Sequence, residues 1–179
     1  RYTINYYLFP IKKSEGYVKN NLKEGIWKYY YSDGKVSSIV TYSKGVRNGR
    51  SQQFYQNGKL SSDVFYQNGN FYGTVKNFYL NGNLNTEEYY DKNHVDQGPF
   101  KIWFESGKLS ETGSTINGKI VGKCILYHEN GNVKEIRFYD SLGRKDSVWS
   151  YYSPTGTLIK KEEYNQDSLI SPNFKMVKI

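Results

Sequence analysis

Two histidines, one cysteine and two pairs of adjacent glutamates are the residues of this 179-residue chain whose types could do chemistry. His94 stands near Asp91 and Asp96, a grouping that could serve as an acid–base pair or as part of a metal site. A useful metal site needs three or four ligands, so a polar loop is the simpler reading. Cys124 has His128 four residues further on, which in a strand places both on one face, where an imidazole could activate a thiol. A nucleophilic cysteine also needs an electropositive pocket, and nothing else near it in sequence supplies one. A small apolar residue packed in a strand is the simpler reading here. Glu87-Glu88 and Glu162-Glu163 are adjacent pairs. Neighbours in a strand point to opposite faces, so neither pair forms a catalytic dyad, and both are expected as solvated edge charges. There is no G-x-S-x-G, Walker loop, H-E-x-x-H or C-x-x-C. A single cysteine excludes an internal disulfide framework and a multi-cysteine zinc site. No catalytic residue, metal site, cofactor or small-molecule substrate is expected.

The elements that must carry these residues are set by a repeat. Glycines recur at Gly34, Gly58, Gly82, Gly107, Gly131 and Gly156. A second set, nine positions earlier, is Gly25, Gly49, Gly73, Gly98 and Gly122, with Ser147 in the sixth unit. Eleven positions after the first set come Gly45, Gly69 and Gly118. Four before each turn glycine the residue is aromatic (Tyr30, Phe54, Phe78, Trp103, Tyr127, Tyr152), and two after it is aliphatic (Val36, Leu60, Leu84, Leu109, Val133, Leu158). Eight after it stands Tyr42, Tyr66, Tyr90, Tyr139 or Tyr164, with Thr115 the exception. Alanine, the best helix former, is absent. No apolar run approaches the roughly 18 residues of a membrane-spanning helix.

Each unit reads as strand, tight turn, strand, second turn. Pro154 sits two before Gly156, where it suits the first central position of a type I turn and not the positive φ of a type I′ turn. A three-residue loop follows, type I with a left-handed glycine and a bulge. That register puts each aromatic opposite its aliphatic partner on one face. The fold class is therefore all-β: an elongated single-layer antiparallel meander of hairpin repeats, 24–25 residues each. Residues 1–24 are expected as a first strand and a degenerate half-repeat, 25–165 as six repeats, and 166–179 as a cap or tail. Residues seven, five and three before the turn glycine share the other side. They include Trp27, Tyr29, Tyr31, Tyr55, Tyr79, Phe100, Ile102, Phe104, Leu126, Trp149 and Tyr151. If the opposite face is the inner one, this stripe is exposed and is a partner-binding surface rich in hot-spot residue types; curvature or loops could instead cover it.

Lys+Arg exceeds Asp+Glu by 25 to 17, giving a net charge of +8 and a pI near 9.3. Lys35, Lys59 and Lys108 follow turn glycines and could meet anionic lipid headgroups. They could equally be surface lysines that discourage edge pairing. Arginine is scarce, and nucleic acid is not an expected partner.

The run Gly25-Ile-Trp-Lys-Tyr-Tyr-Tyr-Ser-Asp-Gly-Lys-Val36 resembles the MORN repeat, as does Gly49 to Leu60. The likeness is to the bacterial variant described as the YwqK-family antitoxin and runs over about residues 17 to 165. Ser51 and Cys124 in the Trp slot, Pro99 after Gly98 and the missing sixth glycine depart from it. The resemblance implies no enzymatic activity. It implies an interaction module or scaffold that binds another protein, antitoxin- or immunity-like in bacteria, or lipid-associating. The chain begins at Arg1 and is rich in Tyr and Asn. On that basis the bacterial cell envelope or periplasm is expected ahead of the cytoplasm.

Overall fold

The structure is a computed structural model that describes residues 1–173; the further strand that Phe174 to Ile179 suggests in sequence lies outside the described residues. Every element described is a strand, paired antiparallel with strands close to it in sequence; Asn70–Phe71 and Gly73–Phe78 both pair with Leu60–Gln67 rather than with each other. The chain divides into two compact units, Arg1–Leu84 with Tyr90–His94, and Asn85–Tyr89 with the chain from Val95 onward. The first unit holds β1 (Tyr2–Leu8), β2 (Ile11–Lys19), β3 (Leu22–Tyr30), β4 (Val36–Ser43), β5 (Val46–Phe54), β6 (Leu60–Gln67), the short β7 (Asn70–Phe71) and β8 (Gly73–Phe78). β9 (Leu84–Tyr90) follows. The second unit continues with β10 (Gly98–Trp103), β11 (Leu109–Ile116), β12 (Lys119–Tyr127), β13 (Val133–Tyr139), β14 (Ser147–Tyr152), β15 (Leu158–Asn165) and β16 (Ser168–Asn173).

The turns close as their residues dictate. The Gly34 amide donates to the Tyr31 carbonyl at 3.0 Å, and the Tyr31 amide donates to the Lys35 carbonyl at 2.8 Å, leaving Ser32-Asp33-Gly34 as the loop. Gly34 has φ +84°, which L side chains adopt only with strain. Asp33 Oδ1 accepts from the Lys35 amide at 3.1 Å and locks the corner. The same closure recurs at Tyr55, Tyr79, Phe104, His128 and Ser153. The aromatic–aliphatic register is as the spacing predicts: Tyr30 faces Val36, Phe54 Leu60, Trp103 Leu109, Tyr127 Val133 and Tyr152 Leu158.

A second irregularity was not visible in the spacing. In each of these hairpins the register slips by one just beyond that pair, so Ser37, Ser61, Ser110, Lys134 and Ile159 bulge out of the ladder. The slip turns the rest of the return strand over. Val40 comes opposite Trp27, and Val64 opposite Ser51. One row of side chains then runs across the first unit, Gly16, Trp27, Val40, Ser51 and Val64, each facing the next. All five residues are buried. In the second unit Phe100, Cys124 and Trp149 occupy the matching slot.

That row is the core, and it needs two glycines outside the periodic slots. A Cβ on Gly16 would lie 2.5 Å from the Trp27 ring, and one on Gly113 would lie 2.8 Å from Phe100. Both rings lie flat on backbone. With no second layer above it, a sheet can desolvate an indole only this way and by sideways contact with neighbouring strands.

Candidate interaction surface

The structure turns the aromatic stripe inward. Trp27 is 2% exposed, Phe100 7% and Trp149 5%, so these three cannot meet a partner without unfolding their repeat. The expectation of an exposed stripe is corrected here, and the bulges are the reason. They bring the tyrosines eight after the turn glycine onto the tryptophan side, where Tyr42 packs at 6.5 Å from Trp27, and Tyr139 and Tyr164 at 5.3 and 5.0 Å from Trp149. The remaining stripe residues, Tyr29, Tyr31, Tyr55, Tyr79, Ile102, Phe104, Leu126 and Tyr151, are half-buried.

Several of these side chains tie one repeat to the next. The Tyr31 hydroxyl donates to the Phe54 carbonyl and Tyr55 to the Phe78 carbonyl, both at 2.6 Å. Tyr7 does the same to Tyr30 at 3.0 Å. His128 fills this slot in its own unit and sits 2.9 Å from the Tyr152 carbonyl; a carbonyl only accepts, so Nε2 carries the proton. The turn lysines join in. Lys35 Nζ donates to the Gln56 carbonyl at 3.0 Å, and Lys59 Nζ donates to the Asn81 carbonyl. Lys108 is exposed.

A set of cations missed in the sequence closes over the aromatic row. Lys23, Arg47 and Lys145 all stand eleven before a turn glycine. Lys23 Nζ lies 4.7, 5.0 and 5.1 Å from the ring centres of Trp27, Tyr29 and Tyr42. Arg47 covers Tyr66 at 5.2 Å, and Lys145 lies 4.9 Å from both Trp149 and Tyr164. Cation–π contact is worth about 0.5–2 kcal/mol, more as water is excluded. In the fourth repeat the slot is Asp96, and opposite it the one non-tyrosine, Thr115, donates to Asp96 Oδ1 at 3.0 Å. The third and fifth repeats carry Phe71 and Ile120 in the cation slot and keep their tyrosines, Tyr90 and Tyr139, so the cation cover belongs to three of the six repeats and no periodic signal in the sequence marks it.

The candidate chemical groups are occupied structurally. Cys124 is fully buried and donates to Glu111 Oε1 at 3.3 Å. Burial first, and then this carboxylate, push its thiol up to about 12, the reverse of an activated nucleophile. His94 is the left-handed corner of a turn opened by Asp91, with Nδ1 2.9 Å from the Phe71 carbonyl. Glu162 corrects the expectation of a solvated charge. It accepts from Lys160 at 2.8 Å, Tyr151 at 2.6 Å and Tyr164 at 2.9 Å. Lys160 first, then Tyr151, hold its carboxyl down at about 2. Its neighbour Glu163 is exposed, as strand alternation requires. Among the described residues no three His, Cys, Asp or Glu side chains gather as a metal site would require.

The opposite side of the first unit is the more open one. On β3 Ile26 is 59% exposed, and on β6 Phe65 is 45% exposed. Between their strands Thr41 faces Ile26, and Arg50 faces Phe65. Lys28, exposed on the same side, faces Glu15, whose carboxylate is already taken by Lys12 and Tyr30. Arg50 is bound to Asp63 at 2.5 Å yet keeps a side chain 63% exposed.

A repeating hairpin sheet with a consumed inner face and an open outer face defines the class: a repeat-built all-β interaction module. The chain belongs to the family described as the MORN repeat variant, whose model matches residues 23–44, 47–68, 71–92, 96–117, 120–141 and 145–166. Members of this family are generally protein or membrane interaction modules and typically non-enzymatic. No curated protein sequence matches the chain. Among solved structures it is similar to one titled "Crystal Structure of TcdB2-TccC3-Cdc42", at 11% identity and a TM-score of 0.20. That likeness covers 93% of this chain and 12% of the other, so the chain spans about an eighth of its length.

Proposed function

We propose that the protein is a non-enzymatic module that binds another protein through its sheet, as a scaffold in a bacterial complex. The YwqK-like resemblance favours an immunity or antitoxin-like form of this role, and the Tyr- and Asn-rich composition favours a place in the cell envelope. The observation that carries the reading is the exposure of Ile26 and Phe65 beside Lys28 and Arg50, on the side of the first unit that the core leaves unused. Large apolar side chains held open on a rigid sheet mark a surface built to be covered. The half-buried tyrosines of the stripe, Tyr29, Tyr31, Tyr55 and Tyr79, lie on the other side; Tyr31 and Tyr55 serve the surface only by tying each repeat to the next.

The test is affinity capture of the native protein with cross-linking, followed by variants. Ile26→Asp with Phe65→Asp should abolish capture with the β spectrum and melting temperature unchanged. Tyr31→Phe with Tyr55→Phe should lower stability and leave capture intact. If both pairs leave capture unchanged, the sheet is not the binding surface. The lipid-binding alternative is favoured less by the structure's own bonds, since Lys35 and Lys59 are engaged by neighbouring carbonyls. Sedimentation with anionic vesicles at low salt would revive it.

A further inference from the structure

The excess positive charge is not spread along the chain. The first unit holds 13 Lys and Arg against 5 Asp and Glu, and the rest of the chain 12 against 12. The whole net charge of +8 therefore lies in the unit that carries the open apolar face. The few acids there are spoken for. Glu15 is bound by Lys12 and Tyr30, Asp63 by Arg50, and Asp33 by Lys35 and Gln56. Glu24 accepts from the Lys44 amide at 2.8 Å, and Asp91 from the Asn93 amide at 2.7 Å. Lys28 is left exposed with no acidic partner among the described residues, next but one to Ile26 on the same strand and same side.

We propose that the outward face of β3 to β6 docks an acidic protein surface that also presents apolar side chains. Resting on the protein-binding reading above, this names the chemistry of the partner. Charge complementarity decides the occupant. A second copy of the chain would bring like charge against like, which opposes docking of two such faces. A partner rich in Asp and Glu gains attraction over a Debye length of about 8 Å at physiological salt. Ile26 and Phe65 then supply the short-range apolar contact that charge alone lacks.

The experiment uses the full chain and a random copolymer of glutamate and tyrosine, which offers carboxylates and rings together. Binding is read by fluorescence anisotropy at low and at near-physiological salt. Parallel arms use phosphatidylserine vesicles and a single-stranded oligonucleotide. Copolymer binding that weakens about tenfold at the higher salt is expected, with Lys28→Glu costing about fivefold and Ile26→Asp a similar loss. Lys123→Glu, the exposed lysine at the Ile26 slot of the second unit, should change nothing. Lys28→Gln serves as a milder variant if charge reversal disturbs the fold. The proposal is overturned if the copolymer does not bind, if vesicles or oligonucleotide bind and the copolymer does not, or if Lys123→Glu costs as much as Lys28→Glu. Failure here alongside capture of a neutral protein by the native chain would reject the acidic partner and leave the interaction role standing.

Discussion

Acid should loosen this protein through one carboxylate more than through any other. Glu162 sits on the aromatic side of β15, its side chain 18% exposed, and accepts from Lys160, Tyr151 and Tyr164. Those donors hold its carboxyl at about 2, against an ordinary value of 4.5. A tenfold change in proton affinity is about 1.4 kcal/mol, so the interval corresponds to at most about 3 kcal/mol of stability. The folded value is the lower one. The stabilisation is therefore complete above the ordinary value and is lost as pH falls from near 4.5 toward 2. Glu162→Gln keeps the size and one acceptor but cannot answer three donors; a loss of about 1–2 kcal/mol at pH 7 is expected. Because Glu15, Asp33 and Asp140 are also held below their ordinary values, the quantity to read is the difference between the parent and the variant. Urea unfolding followed by tryptophan fluorescence at pH 7, 5, 3.5 and 2.5 gives it. The gap should close as pH falls, vanishing near pH 2. A gap of constant size down to pH 2.5 would refute the argument.

Three other changes probe the remaining features. Gly16→Ala would drive a methyl into the Trp27 ring, which lies 2.5 Å from where the Cβ must go; a loss of about 2 kcal/mol in unfolding free energy is expected, read from urea unfolding. Ser147 holds the slot that is glycine in the other five repeats and takes φ +58° there, so Ser147→Gly should stabilise by about 1 kcal/mol, seen as a higher melting temperature. Cys124 should resist iodoacetamide at pH 8 in the native protein and react readily in urea, since its thiol is buried and held near 12; native labelling at the rate of a free thiol would contradict the packing.

The repeat, the turn type and the aromatic–aliphatic register were legible because each rests on a local rule. Gly34 needs a left-handed φ, Pro154 excludes a mirror-image turn, and Tyr30 must meet Val36 once the loop length is set. The identity of the inner face was not legible. It depends on the extra residue in each hairpin, and the bulged positions are Ser37, Ser61, Ser110, Lys134 and Ile159. Serine, lysine and isoleucine share no property that marks a bulge. Without that slip, Val40 and Tyr42 count to the wrong side, and Trp27 looks exposed. The covering cations were hidden for a related reason. A lysine eleven before a turn glycine reads as a surface charge until its ammonium is seen 4.7 Å from an indole.

A single-layer repeat spends its regular positions on itself. With no opposing sheet, each aromatic must be covered by the neighbouring strands, by a cation or by a glycine backbone, and each half-buried hydroxyl must find a partner, either the next repeat's carbonyl or a side chain on the same face. Those demands are the same in every unit, so they produce the recurring slots. Specificity must then sit where the units differ. The slot eight before the turn glycine faces outward and holds Ile26, Arg50, Thr74, Pro99, Lys123 and Val148, six residue types in six repeats. The slot seven after the turn glycine is nearly as varied, five residue types in six repeats, with Thr41, Phe65, Tyr89, Ser114, Phe138 and Glu163. Nothing in the fold asks for this variety, since a β-branched residue would satisfy the sheet at every one of these positions. The periodic residues that first suggest a binding stripe are therefore the architecture, and the aperiodic ones are where a partner can be told from a stranger.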